Sequence, residues 1–336
     1  AEEGLNVDVA SGGELAVALA AGVAPERLGF HGNNKSDDEI ARAVEAGVGT
    51  IVVDSEQEIP RVAEAAARAG RSQRVRLRVN SGVHASTHDF LATSHEDQKF
   101  GVPLGRAVEL GQRIAAESSL DFVGLHCHIG SQIFATEGFR ESARRLLGVY
   151  RELGAAAGSP IPGLNLGAGF GIAYTPAPAG RGPTMGRIAA ELAEIVAASC
   201  AEAGIAVPKL AFEPGRVIIG PAGVTLYTVG TTKAVRLAGS DAAADPADLE
   251  FIDGAGIEGP LERLYVRVEG GMGDNPRPAL YGADYQVRIA NRRSDAAPAL
   301  IRVVGKHCEA GDIVVARDAL PGDVAPGDVL AVAATG

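Results

Sequence analysis

The sequence predicts an α/β protein: a (β/α)8-type barrel missing its first strand, followed by an all-β domain. Two observations carry this. Over the first two thirds of the chain short apolar strands alternate with amphipathic helices, and after about Gly220 strands separated by turns take over. Strict alternation implies a parallel sheet with right-handed crossovers, and so an open doubly wound sheet or a barrel.

The strand candidates in order are Asn6–Ala10, Leu28–Gly32, Thr50–Asp54, Val75–Asn80, Asp121–His126, Gly163–Gly167 and Lys209–Glu213. A closed barrel of this kind needs about eight strands. The first motif starts almost at Ala1, so the absent strand is expected upstream of it. Ser36 and Glu39 form an expected capping box, with Ile40 and Val44 on one helix face and Gly47 as the stop. Ser55 and Glu58 repeat that spacing at the head of the next helix. Ile188, Leu192, Ile195 and Val196 keep a helical period between Met185 and Ala203. In the second domain, strands are expected over Val224–Val235, Leu264–Val268, Tyr285–Ile289, Leu300–Val304, Ile313–Ala316 and Val329–Ala333. The Ala/Asp/Gly-rich stretch Leu237–Pro260 reads as a surface loop. These readings place a barrel domain at 1–219 and a β domain at 220–336.

A chain of 336 residues, 46% hydrophobic and 22% charged, has the composition of an ordinary water-soluble protein. A net charge of -11 argues against nucleic acid or an anionic membrane as partner, and no apolar run reaches the length of a membrane span. Cys127, Cys200 and Cys308 are too few and too scattered for a disulfide or zinc framework, which points to a reducing cytoplasm.

In a parallel barrel the chemistry gathers at the C-terminal ends of the strands. There the sequence places Gly167-Ala168-Gly169-Phe170-Gly171, small residues that let backbone N–H groups approach an anion. A dinucleotide turn would need a helix at once, and Tyr174-Thr175-Pro176 follows instead; a plain flexible turn is the bland alternative. Glu213-Pro214-Gly215-Arg216 closes the last strand. A carboxylate in a barrel mouth needs a cation, such as the protonated ring nitrogen of a pyridine cofactor, and Arg216 suits a phosphate or a carboxylate. An ordinary surface pair is an equal reading. In His126-Cys127-His128-Ile129-Gly130-Ser131-Gln132 the two histidines suggest a metal, but no third ligand of suitable spacing is apparent. His84 and His88, in a Ser/Thr-rich loop, give no metal site either. An imidazole there can stack on a ring, with Ser131 donating to phosphate. Arg277 and Tyr281 can clamp a carboxylate. Cys308 beside Glu309 suits proton donation next to an ammonium group, although a lone cysteine is more often a small buried hydrophobe.

Taken in order, Asp8-Val9-Ala10-Ser11-Gly12-Gly13-Glu14, Gly32-Asn33-Asn34-Lys35, His128-Ile129-Gly130-Ser131-Gln132, the glycine loop, Glu213-Pro214-Gly215-Arg216, Arg277-Pro278-Ala279-Leu280-Tyr281 and Cys308-Glu309 resemble the diaminopimelate decarboxylases, from residue 8 to residue 335. The resemblance implies pyridoxal 5′-phosphate as cofactor and meso-2,6-diaminopimelate as substrate, converted to L-lysine and CO2 in a cytoplasmic homodimer. His128 would stack on the cofactor ring. Ser131, the backbone of Gly167, Ala168 and Gly169, and Gly215 with Arg216 would hold the phosphate, and Glu213 would face the ring nitrogen. Arg216, Arg277 and Tyr281 would bind substrate carboxylate and Glu309 the distal amino group. Cys308 would be the proton donor, reaching into the other subunit's site.

The chain departs from the family's pattern at Ala168, Asn165, Glu269 and Ala310, and 238–260 looks inserted. The family's cofactor lysine lies shortly before the Asp-Val-Ala-Ser segment. None of Lys35, Lys99, Lys209, Lys233 and Lys306 falls there. The sequence therefore reads as truncated at both ends, and a chain so cut is expected not to hold the cofactor covalently or to be active. Two rivals are a sister decarboxylase acting on ornithine, arginine or carboxynorspermidine, and a non-catalytic homologue that binds a partner. The Arg277/Tyr281 clamp favours a substrate with a second carboxylate. Retention of Glu213, Arg216, Cys308 and Glu309 argues against a non-catalytic role.

Overall fold

The computed structural model describes residues 3–83, 98–175, 185–237, 246–257 and 262–336. Two compact units emerge, one of Ala1–Gly171 with Pro183–Pro214, the other of Ile172–Gly182 with Gly215–Gly336.

In the first unit, β1 (Val7–Val9), α1 (Gly12–Ala20), β2 (Leu28–Phe30), α2 (Asp37–Ala46), β3 (Thr50–Val53), α3 (Glu58–Arg68) and β4 (Gln73–Asn80) alternate as expected. They continue through β5 (Val102–Pro103), α4 (Ala107–Ala116), β6 (Leu120–His126), α5 (Glu137–Ala157), β7 (Gly163–Asn165), α6 (Met185–Ala203) and β8 (Lys209–Ala211). The sheet order is β1-β2-β3-β4-β6-β7-β8 with every pair parallel, and β5, a two-residue strand that the sequence does not announce, adds to the end of β4. Strand β4 shows why the sheet has two unlike faces. Gln73, Val75, Leu77 and Val79 are buried, whereas the alternate positions Arg74, Arg76, Arg78 and Asn80 are more open. The second set carries the charge.

The capping box at Ser36 and Glu39 forms, and Gly47 ends α2 in the left-handed region at φ 80°. The repeat of that device does not. Helix α3 begins at Glu58 without a side-chain cap. Glu58 turns back instead, accepting from the Asp54 N–H at 2.6 Å and pairing with Lys35 Nζ at 2.9 Å. A buried lysine needs a buried anion more than a helix needs its cap, because an unpaired interior charge costs several kcal/mol, about 3–5. Lys35 is 1% exposed and also donates to the carbonyls of Gly32 and Val52.

The second unit contains α7 (Arg216–Ile219), β9 (Val224–Arg236), α8 (Pro246–Gly254), β10 (Glu262–Val268), α9 (Arg277–Tyr281), β11 (Val287–Ile289), β12 (Pro298–Val304), β13 (Ile313–Pro321) and β14 (Val329–Ala333). Its six-stranded sheet runs β11-β14-β9-β10-β12-β13, antiparallel except for β10 with β12. Val266, Val268, Tyr285, Val287, Ile301, Val303, Val315 and Leu330 lie in its core. Where the sequence suggests a surface loop over Leu237–Pro260, the structure has helix α8. Its anchor is Asp248, 2% exposed, which pairs with Arg263 on β10 and, at 2.6 Å, with Arg317 on β13. The Ala/Asp/Gly composition hides this, since one buried aspartate rather than an apolar stripe holds the helix down.

Asp248→Ala strands two arginines that have lost their counter-ion. It should cost about 3–5 kcal/mol in urea unfolding, the range for breaking a buried ion pair from one side. An exposed acid such as Glu250 should change by less than about 0.5 kcal/mol when made Ala.

Candidate active site

Side chains from separate strands converge at the C-terminal ends of the parallel sheet because the register sets them side by side. Arg78 pairs with His126, His126 with Asn165 and Asn165 with Ala211, and the chain then runs on two residues to Glu213. Strand β6 reaches this register through a shift against β4, where Val75 opposes Phe122 but Arg76 opposes Gly124. One extra residue re-aims the rest of the strand. Gly124 sits at φ 142°, and a Cβ there would run into the carbonyl of Gly163.

Glu213 is the centre of the cluster. Its Oε1 accepts from Asn165 Nδ2 at 2.7 Å and lies 3.0 Å from His126 Nε2 and 3.5 Å from His31 Nε2, while Asp8 Oδ1 lies 3.3 Å from the same His31 nitrogen. Burial works against the charge on Glu213, yet the neighbouring imidazoles and the Asn165 amide hold its carboxyl well below the usual carboxylate range. Burial pushes His126 down to about 4, so at neutral pH this ring is neutral and the carboxylate is the charged partner. The guanidinium groups of Arg76 and Arg78 also act on Glu213; burial lowers both of their pKa values and the carboxylate opposes that. His126 Nε2 makes a close polar contact with Glu213 at 3.0 Å, and its Nδ1 has no hydrogen-bond partner among the described residues.

Beside this cluster two loops are zipped together. The Ile133 N–H donates to Gly169 O at 2.7 Å and the Gly171 N–H to Ile133 O at 2.9 Å, giving a bridge between Ile133 and Phe170. His128 and Ser131 are exposed on one loop, and Gly167, Ala168 and Gly169 form the other. Gly167 and Gly169 have φ of 67° and 117°, and a Cβ on either would strike the carbonyl of Cys127 or Gly130. Only glycine fits so close an approach. Gln132, a non-glycine at φ 62°, marks the turn that brings Ser131 there. Asn165 joins cradle to carboxylate: its Oδ1 accepts from the Gly167 N–H at 2.8 Å while its amide nitrogen holds Glu213.

Beyond Pro214, Gly215 and Arg216 open α7. In the second unit the Arg277 guanidinium stands 5.1 Å from the Tyr281 ring centroid and 5.7 Å from that of Tyr174, and its buried Nε has no acceptor among the described residues. Tyr174 in turn packs on Tyr285 at 4.7 Å. Cys308 and Glu309 are exposed. Their loop is tied down by Asp312, 2% exposed, which accepts from the N–H groups of Met272 at 2.6 Å and His307 at 2.8 Å.

The structure separates the His126/His128 pair. His126 turns to Glu213, and His128 faces the glycine loop, its Nδ1 3.5 Å from the Ala168 N–H. His84 and His88 lie outside the described residues. Sequence reading missed His31, Arg76 and Arg78; alternation puts Arg76 and Arg78 on one face of β4, but no local signal ties them, or His31 just beyond β2, to Glu213. Cys127, buried and pushed up to about 12 by burial, contacts Ser142 and is a packing residue.

Two family models match the chain: the pyridoxal-dependent decarboxylase pyridoxal-binding domain over residues 1–220 and the pyridoxal-dependent decarboxylase C-terminal sheet domain over residues 173–336. Diaminopimelate decarboxylase of Mycobacterium tuberculosis is 47% identical over 341 aligned positions, which cover all of this chain and 71% of that protein. The crystal structure of diaminopimelate decarboxylase from M. jannaschii superposes with a TM-score of 0.79 at 28% identity, covering 100% of this chain and 70% of that one. That of diaminopimelate decarboxylase from Helicobacter pylori, complexed with L-lysine, gives 0.77 at 26%, covering 98% and 73%.

Asn165→Ala removes two hydrogen bonds from buried groups and leaves the Gly167 N–H unsatisfied. A loss of about 1–3 kcal/mol in unfolding free energy is expected from chemical denaturation. Asn165→Asp keeps the acceptor for Gly167 but sets a second carboxylate against Glu213 in place of the amide donor, so it should lose at least as much.

Proposed function

Because the chain belongs to the pyridoxal-dependent decarboxylases, and within them to the diaminopimelate decarboxylases, we infer that it carries out the decarboxylation of meso-2,6-diaminopimelate to L-lysine with pyridoxal 5′-phosphate. The observation that carries this is the anionic Glu213, set at the strand ends beside a cradle of glycines. That donor set fits the cofactor: a carboxylate for a protonated ring nitrogen, and close-packed backbone for a phosphate.

When bound, the cofactor supplies an electron sink for the pair left on the α-carbon as CO2 departs. The chain's part is to bind, orient and move protons. Glu213, anionic in this cluster, would face the ring nitrogen and favour its protonated form. His128, which faces the glycine loop, would stack on the cofactor ring. Ser131 with the backbone of Gly167, Ala168 and Gly169 binds phosphate, as do Gly215 and Arg216. Arg216, Arg277 and Tyr281 bind substrate carboxylate; the unsatisfied Nε of Arg277 and the rings beside it support a planar anion there. Glu309 takes the distal ammonium, and Cys308 returns a proton to the α-carbon.

The finer parts of the proposal are a homodimer in the cytoplasm, with Cys308 and Glu309 serving the partner's site, and domains of 1–219 and 220–336. Exposed Leu226, Leu280 and Tyr281 offer apolar surface for a second copy. Three free cysteines suit a reducing compartment. Among the described residues no helix is long and apolar enough to cross a membrane.

In the protein carrying this chain, supplied with pyridoxal phosphate, CO2 and L-lysine should appear from meso-diaminopimelate, with ornithine and arginine turned over far more slowly. Equal turnover of ornithine would overturn the substrate assignment. Glu213→Gln should lower kcat by about 100-fold or more, the scale of a lost proton-holding group. Cys308→Ala should spare cofactor binding, read from its visible absorbance, while slowing turnover.

A further inference from the structure

We propose that His31, His126 and Glu213 form a binding site for one divalent transition-metal ion of the zinc class, and that metal and cofactor exclude one another because both need Glu213. The exclusion rests on the cofactor reading above; the metal site rests on geometry alone.

The three donors come from three places in the parallel sheet. His31 follows β2, His126 ends β6 and Glu213 follows β8. One ligand atom from each of His31, His126 and Glu213 lies within 4.8 Å of the others, and Glu213 Oε1 stands 3.5 Å from His31 Nε2 and 3.0 Å from His126 Nε2. Donor atoms about 2.0–2.1 Å from a tetrahedral zinc stand roughly 3.3 Å apart, so the cluster already has nearly the spread it would have around an ion.

The second observation is His126 itself. It is 1% exposed, its Nε2 faces the Glu213 carboxylate, and its Nδ1 has no hydrogen-bond partner among the described residues. A buried imidazole left so is costly, and native proteins rarely leave one without a reason. Its Nε2 lies 3.0 Å from Glu213 Oε1, close enough for both atoms to reach one ion. Two imidazoles and a carboxylate also leave positions open for water, the donor set of reactive rather than closed structural metal sites. Asp8, 3.3 Å from His31 Nε2, stands near enough to add an oxygen. Arg76 and Arg78 bring positive charge to the same carboxylate. They oppose a second cation, so binding should be weaker than at a closed four-ligand zinc site and reversible by chelators.

The test is titration of the full chain with Zn2+ in competition with a chromophoric chelator, and with Co2+ followed by its visible bands. One equivalent of either metal is expected, with Co2+ bands of the intensity that low-symmetry nitrogen and oxygen ligation gives. His31→Ala should weaken binding at least tenfold, and Glu213→Gln likewise. His307→Ala, at an exposed histidine of the second unit, should bind as the parent does. His126→Ala opens the core, so its loss of metal counts only if its circular dichroism matches the parent's. Pyridoxal 5′-phosphate should weaken zinc binding at least tenfold. Absence of the stoichiometric metal, or binding unchanged in His31→Ala, overturns the site and leaves the cofactor role of Glu213 standing. In the protein carrying this chain, zinc affinity equal with and without pyridoxal phosphate that its visible absorbance shows to be bound, at a site that His31→Ala abolishes, overturns the exclusion and the cofactor role of Glu213 with it.

Discussion

The first unit is organised around one constraint: an ionised carboxylate must be kept at the strand ends of a parallel sheet whose interior would ordinarily be apolar. Removing a carboxylate from water without partners would cost several kcal/mol and drive it to protonate. Glu213 avoids that through Asn165, the neighbouring imidazoles and the fields of Arg76 and Arg78. None of these groups is adjacent to it in sequence. The sheet's register, the shift at Gly124 and the run of the chain beyond Ala211 all serve to bring them within reach.

That arrangement shapes the neighbouring loops too. Asn165 cannot hold Glu213 without also fixing the Gly167 N–H, so the carboxylate and the anion cradle are positioned by one side chain. The β4 strand shows the cost of an interior of this kind. It sets Arg76 and Arg78 on the face where a typical barrel packs branched aliphatics, while Leu77 and Val79 supply the burial on the other. Lys35 and Glu58 make a second buried charge pair away from Glu213, and there the need for a counter-ion displaces a helix cap.

Much of this was legible in the sequence. Alternating apolar runs announce the strands within about two residues at most ends, and the order of short motifs announces the family. Glu213, the glycine loop and the exposed His128 could all be found because chemistry there needs special residues at fixed local spacing. His31, Arg76 and Arg78 could not, since their roles depend on which strands pair and in what register, and one sequence does not state that. Helix α8 was hidden for a related reason. Its hold on the sheet is Asp248, whose partners lie 15 and 69 residues away. Glu58 is the reverse case. Its local spacing from Ser55 fits a capping box, but a long-range partner, Lys35, wins it.

The bridge between Ile133 and Phe170 ties two segments that lie far apart in the chain into a single rim. Because each loop is held by the other's backbone, neither can be re-ordered alone, and the rim is set before anything binds. A ligand that meets it need not spend part of its contact energy on freezing a loop, so more of that energy is left as affinity. Evolution faces the same coupling: a residue inserted in either loop would break the bridge for both. Length in these two segments should therefore vary far less among related chains than it does across the 238–260 stretch.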